Sequence, residues 1–115
     1  MPSHGATTFQ AARFYCALER GTLVGPAATK LMLDALAEPG IEHKFVKGLR
    51  SYDGMELYRK SGTWGPYHSD SAIIEHDGRR YIAVALAKSR HGEQWLQKLI
   101  VALDEVVCQT ETTQN

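Results

Sequence analysis

The sequence predicts an α+β domain: a three-stranded antiparallel sheet, with a helical hairpin before it and one helix after it. Two stretches with helical apolar spacing come first. Three strand-length runs separated by turn residues follow, and a long helical stripe comes last. At 115 residues the chain suffices for one domain and not for two.

Thr7-Thr8-Phe9-Gln10 reads as a capping box, with Thr7 as the cap and Gln10 three residues on. The stripe Ala11, Phe14, Tyr15, Leu18 follows, and Gly21 ends the helix. Pro26 suits the first turn of a second helix, with stripe Ala28, Leu31, Met32, Ala35, Leu36, and Pro39-Gly40 stops it. The short link from Gly21 to Gly25 makes the two helices a hairpin. Residues 40–54 read as a long connection punctuated by Gly40, Gly48 and Gly54, with a turn at Ser51-Tyr52-Asp53-Gly54.

Strands are predicted at Met55 to Trp64, Tyr67 to His76 and Arg79 to Lys88. In the second, Ser71, Ile73 and Glu75 share one face, and Ala72, Ile74 and His76 the other. The third carries Tyr81, Ala83 and Ala85 opposite Ile82, Val84 and Leu86, as a strand covered on both sides would. Asp77-Gly78 is the strongest local hairpin signal. The last helix runs from about Gly92 to Cys108 on Trp95, Leu96, Leu99, Ile100, Leu103, Val106 and Val107. The outer edge of the third strand has no strand to pair with in this layout, so the layout reads as part of a larger fold.

Thirteen basic residues balance thirteen acidic ones, which gives no electrostatic reason to expect a nucleic acid or an anionic membrane as partner. No apolar run reaches the roughly 18–20 residues of a membrane span. The opening residues carry no basic cluster followed by an apolar stretch, so a cytoplasmic product is the default expectation. A disulfide between Cys16 and Cys108 is not argued by their spacing, and they read as two small, buried or half-buried apolar residues. His43, His68, His76 and His91 show no metal-ligand spacing, so no metal and no cofactor are expected. His68 and Asp70 share a strand face and could hydrogen-bond, whereas His68 and Ser69 point to opposite faces and cannot act as a catalytic pair.

Lys60-Ser61-Gly62-Thr63 closes the first strand. Lys-Thr/Ser-Gly is one of the signatures of the penicillin-recognising serine enzymes. Two antiparallel strands and a C-terminal helix follow it here, as in the class A β-lactamases and their relatives. Upstream, Gln10 to Tyr15 with Leu18 to Gly21, Gly25-Pro26 through Leu36, and Ile41 to Leu49 resemble the family's late helices and its return to the sheet. The chain thus resembles the C-terminal part of a β-lactamase-like domain over residues 7–108, flanked by tails at 1–6 and 109–115. The resemblance implies the β-lactamase/transpeptidase-like fold and acyl transfer to a serine. It implies that Lys60 acts in catalysis by stabilising the substrate carboxylate and the neighbouring proton relay, that Ser61 donates a hydrogen bond to that carboxylate, and that Gly62 lets substrate approach the strand. It makes the Thr63 N–H an oxyanion donor, beside a cleft that Trp64 could line. Trp64-Gly65-Pro66 departs from the small residues commoner after the motif, which leaves the substrate class open.

The sequence contains no Ser-x-x-Lys, and Ser69-Asp70-Ser71 stands in the wrong place to be the family's Ser-Asp-Asn. The nucleophile and the deacylating glutamate are therefore expected in an upstream segment, with two further strands beside the third. The expected partners are a β-lactam or peptide-like small molecule and either the missing N-terminal half or a second copy of the chain. The alternative reading is a non-catalytic binding or dimerising module that keeps the fold remnant.

Overall fold

The computed structural model describes residues 6–37, 43–49, 52 and 54–109. Helices α1 (Thr8–Glu19), α2 (Pro26–Ala37) and α3 (Lys44–Leu49) precede strands β1 (Glu56–Trp64), β2 (Tyr67–His76) and β3 (Arg79–Lys88), and α4 (Gly92–Gln109) closes the order. The sheet is antiparallel in the order β1-β2-β3.

Local sequence accounts for the element ends. The Thr7 hydroxyl accepts from the Gln10 N–H at 3.1 Å, and the Gln10 side chain accepts from the Thr7 N–H at 2.9 Å, which completes the capping box. Asp77 (φ 51°) and Gly78 (φ 74°) both take left-handed backbone, as a two-residue hairpin turn requires. Gly65 takes φ 56° ahead of Pro66 in the tight link where Trp64 pairs with Tyr67. The predicted turn at 51–54 and the stop at Pro39-Gly40 lie wholly or partly outside the described residues.

The sheet is covered on both faces, as the two-sided apolar pattern requires. On one side Ala72, Ile74, Ala83 and Ala85 pack with Phe45 and Leu49 of α3 and with Leu96 and Ile100 of α4. On the other, α1 buries Tyr15 and Leu18 and lies over β2 and β3. The Tyr15 hydroxyl donates to the Ser71 carbonyl at 3.1 Å, and Glu19 pairs with Arg80 at 2.8 Å. Helix α2 meets β1, so the predicted hairpin divides the sheet between its two arms.

Helix α3 corrects the reading of 40–54 as connection alone. Six residues containing a glycine and a β-branched valine give little helical signal. Tertiary packing supplies the rest. A Cβ on Gly48 would lie 2.5 Å from the Gln97 carbonyl oxygen, so this glycine is the point where α3 meets α4 backbone to side. The i, i+4 pair Phe45 and Leu49, both buried, is the sequence feature that marks the turn.

The described residues leave much apolar surface uncovered. No residue of α2 is fully buried, and Leu31 is 70% exposed. Phe9 of α1 is equally exposed, and Leu86 on β3 is more than half so. Beyond β3 the sheet order ends, so the predicted open edge is present among the described residues.

Candidate active-site strand

Register places the motif. Lys60 pairs with Ser71, Ser61 with Asp70, Gly62 with Ser69 and Thr63 with His68. Lys60, Gly62 and Trp64 therefore share a face with Ser71, Ser69 and Tyr67, while Ser61 and Thr63 share the other. β1 pairs only with β2 among the described residues, so the other edge of the motif strand is open. Lys60 is exposed, and its ammonium donates to the Ser61 carbonyl at 2.8 Å. Gly62, Thr63 and Trp64, with Tyr67, His68 and Ser69, border a cleft of about 820 Å³ that reaches Leu86 on β3. Trp64 stands 82% exposed at its rim. A Cβ on Gly62 would lie 2.9 Å from the Ser69 hydroxyl, so a side chain there would push that hydroxyl aside.

Three interactions position this strand. The first is Lys44, whose side chain is fully buried and whose backbone takes φ 53° at the head of α3. Its Nζ donates to the Gly62 carbonyl at 2.8 Å, to the Thr63 hydroxyl at 2.8 Å and to the Ser69 carbonyl at 3.0 Å. A buried ammonium with three acceptors is satisfied. Burial pushes its pKa down and Asp70 pulls it back up.

The second is the Arg59–Asp70 ion pair. Arg59 Nε donates to the two Asp70 oxygens at 2.8 and 2.9 Å, with both side chains almost wholly buried. Asp70 also accepts from the N–H of Phe45 at 3.1 Å and from that of Ser71 at 3.0 Å. The Arg59 guanidinium lies 2.7 Å from His43 Nδ1 and donates to the His43 carbonyl at 3.1 Å. Burial, then the neighbouring guanidinium and ammonium, push the His43 pKa down. The third is a relay from α1. The Tyr15 hydroxyl lies 2.8 Å from Ser71 Oγ, which donates to the Lys60 carbonyl at 2.9 Å.

Sequence reasoning missed Lys44, Arg59 and Tyr15 as positioning residues. The available signal was Arg59 and Asp70 alternating in phase with apolar residues that face the core. The expected His68–Asp70 hydrogen bond is absent, because Arg59 and Phe45 take the carboxylate. His68 Nδ1 is buried without a partner, and the ring sits where a Cβ on Gly92 would fall, 2.5 Å from His68 Cδ2. Cys16 and Cys108 are free thiols.

An α+β sheet packed between helices, with Lys-Ser-Gly-Thr at one strand edge, is the arrangement of a β-lactamase-like domain. The chain belongs to the beta-lactamase enzyme family, whose model (Beta-lactamase2) matches residues 3–110. Among solved structures it resembles PBP-A, with TM-score 0.69 and 14% identity over 84% of this chain and 39% of that one. The same values hold for a leucine-to-glutamate mutant of PBP-A solved as an acyl-enzyme complex with penicillin G. It also resembles a beta-lactamase from Sphaerobacter thermophilus DSM 20745, with TM-score 0.75 and 20% identity over 85% of this chain and 39% of that one. At these identities the likeness is one of fold, and the chain spans 39% of the length of each of these structures. No curated protein matches.

Proposed function

We propose that this chain supplies the Lys-Ser-Gly strand of a β-lactamase-like serine acyl-transfer site, whose Ser-x-x-Lys nucleophile comes from a segment outside these 115 residues. The observation that carries the reading is the motif on an open strand edge beside a cleft, with apolar side chains uncovered on the same side of the sheet. A helix bearing the nucleophile would cover Leu86 and Tyr67 and bring its serine to the Lys60 edge. Substrate would lie along β1 as an added strand. Lys60 and Ser61 would hold its carboxylate. The Thr63 N–H and the N–H of the serine would stabilise the oxyanion as the serine adds to the amide carbonyl. Lys44 would keep Gly62 and Thr63 in place for this.

The test is complementation. The chain is mixed or co-expressed with the Ser-x-x-Lys half of a family member, and acylation is followed with a fluorescent penicillin and intact-mass spectrometry. The label is expected on the added half, only when this chain is present, and roughly 10–100-fold more slowly with Lys60→Ala, the order of loss when a charged donor to the substrate carboxylate is removed. Labelling of this chain alone, or acylation indifferent to Lys60→Ala, would refute the proposal. The open β3 edge supports a second reading, a non-catalytic module that pairs β3 with a second copy. Dimers without any acylation in complementation would favour it.

A further inference from the structure

His76, the last residue of β2, is 7% exposed, and Asp104 of α4, 2% exposed, lies beside it with Nδ1 and Oδ2 2.7 Å apart. Cys108 is one helical turn beyond Asp104 on the same face. Its Sγ lies 3.8 Å from the same nitrogen, and the nitrogen, oxygen and sulfur all fall within 4.8 Å of one another. The Tyr81 hydroxyl donates to the other Asp104 oxygen at 2.7 Å. His76 Nε2 faces the Asp77 carboxylate at 3.6 Å. Arg79 donates to the carbonyls of Val107 and Cys108 and so fixes the last turn of α4 to the sheet.

We propose that His76, Asp104 and Cys108 form a binding site for a divalent transition metal, with Zn²⁺ the best match and a fourth position left open. One imidazole nitrogen, one carboxylate oxygen and one thiolate suit a borderline-soft ion and not Mg²⁺ or Ca²⁺. Tetrahedral zinc with ordinary bond lengths sets nitrogen and sulfur about 3.6 Å apart, and nitrogen and oxygen about 3.4 Å apart. The observed 3.8 Å needs almost no change. The observed 2.7 Å must open by roughly 0.7 Å.

The surroundings also fit. Ligand histidines commonly donate their second N–H to a carboxylate, and ligand carboxylates are themselves hydrogen-bonded. Tyr81 already fills the second place at 2.7 Å, and Asp77, 3.6 Å from His76 Nε2, would have to close by roughly half an ångström to fill the first. A plain hydrogen-bond network accounts for His76, Asp104 and Tyr81, and the thiol adds to it only weak contacts with His76 and Arg79, whereas a metal would make it a strong ligand. The site lies seven residues along β2 from Ser69, about 23 Å at strand rise, so it is independent of the Lys60 edge.

The whole chain, freed of metal with a chelator, is titrated with Co²⁺ and then Zn²⁺. One Co²⁺ per chain is expected, with a thiolate-to-cobalt charge-transfer band and the visible bands of four-coordinate cobalt, both bleached by one equivalent of Zn²⁺. Cys108→Ser should abolish the charge-transfer band and weaken Zn²⁺ by more than about 100-fold, while Tyr81→Phe weakens it about 10–100-fold, as loss of an outer partner does. Cys16→Ser should leave spectrum and affinity unchanged. His76→Gln should bind no metal while keeping the native circular dichroism. If it unfolds, the partly exposed Cys108→Ser carries the test. Absence of stoichiometric binding, six-coordinate cobalt without a thiolate band, or binding insensitive to Cys108→Ser would overturn the proposal.

Discussion

Asp70 holds more of this structure together than any motif residue does, because it answers Arg59 and the N–H groups of Phe45 and Ser71 at once. Removing one member of a buried ion pair leaves an uncompensated charge, so Asp70→Ala should cost about 3–5 kcal/mol in urea unfolding. Replacing Arg59 and Asp70 together by apolar residues of similar size should cost much less. His43 adds a pH dependence. Its folded pKa lies below the ordinary 6.5, so the folded state binds its proton less readily than the unfolded chain does. Its contribution is present above pH 6.5 and is lost as pH falls through the depressed folded value. Stability should therefore decline as pH falls from 6.5 toward that value and level off beneath it, and His43→Gln should flatten this part of the curve in pH-resolved thermal melts. At this scale the sequence was only partly legible. Lys60 to Thr63 announced themselves as a motif, but nothing local shows that Lys44, sixteen residues before Lys60, ends under the strand. The His76, Asp104 and Cys108 cluster escaped a search by histidine spacing because its ligands sit on two elements. The Asp104-x-x-x-Cys108 spacing was the legible half.

Elements were read more surely than single contacts, because their signals are periodic or involve turn residues with forced backbone. The strands fell within a residue of their predicted ends, fixed by Asp77-Gly78 and Gly65-Pro66. The capping box placed the start of α1 for the same reason. Helix α3 was illegible because six residues are stabilised by packing on α4 rather than by their own propensity. Its closest approach yields a direct check. Gly48→Ala would set a Cβ 2.5 Å from the Gln97 oxygen and 2.8 Å from Ile100 Cγ2. The helices must separate, and a loss of about 1–3 kcal/mol is expected, the usual cost of overpacking. If Gly48→Ala stabilised the protein by chemical denaturation, the close α3–α4 contact would be wrong.

For the whole molecule, the imbalance between the two sides of the sheet is the informative property. The α3/α4 side holds the main buried cluster, with Trp95, Leu99 and Val106 of α4 left on its outer surface, whereas the α1/α2 side leaves Phe9, Leu31, Tyr67 and Leu86 in contact with solvent. Surface of that kind seeks cover. The isolated chain should self-associate as concentration rises, and Leu86→Lys should reduce this in light scattering while shifting stability by no more than about 0.5 kcal/mol, as surface substitutions do. A chain that stays monomeric at high concentration, with or without Leu86→Lys, would contradict this account. The sequence foretold the open edge from the two apolar faces of β3, but not the exposure of α2, whose stripe looks like that of any covered helix.

The strands lie in space in the order in which they are written in the chain, each joined to its neighbour by two residues. Such a meander closes only short loops as it zips together and waits for no distant piece of polypeptide. This sheet can therefore form on its own timetable, and a gene divided ahead of α1 would still encode a self-nucleating platform on which a separately made half could dock.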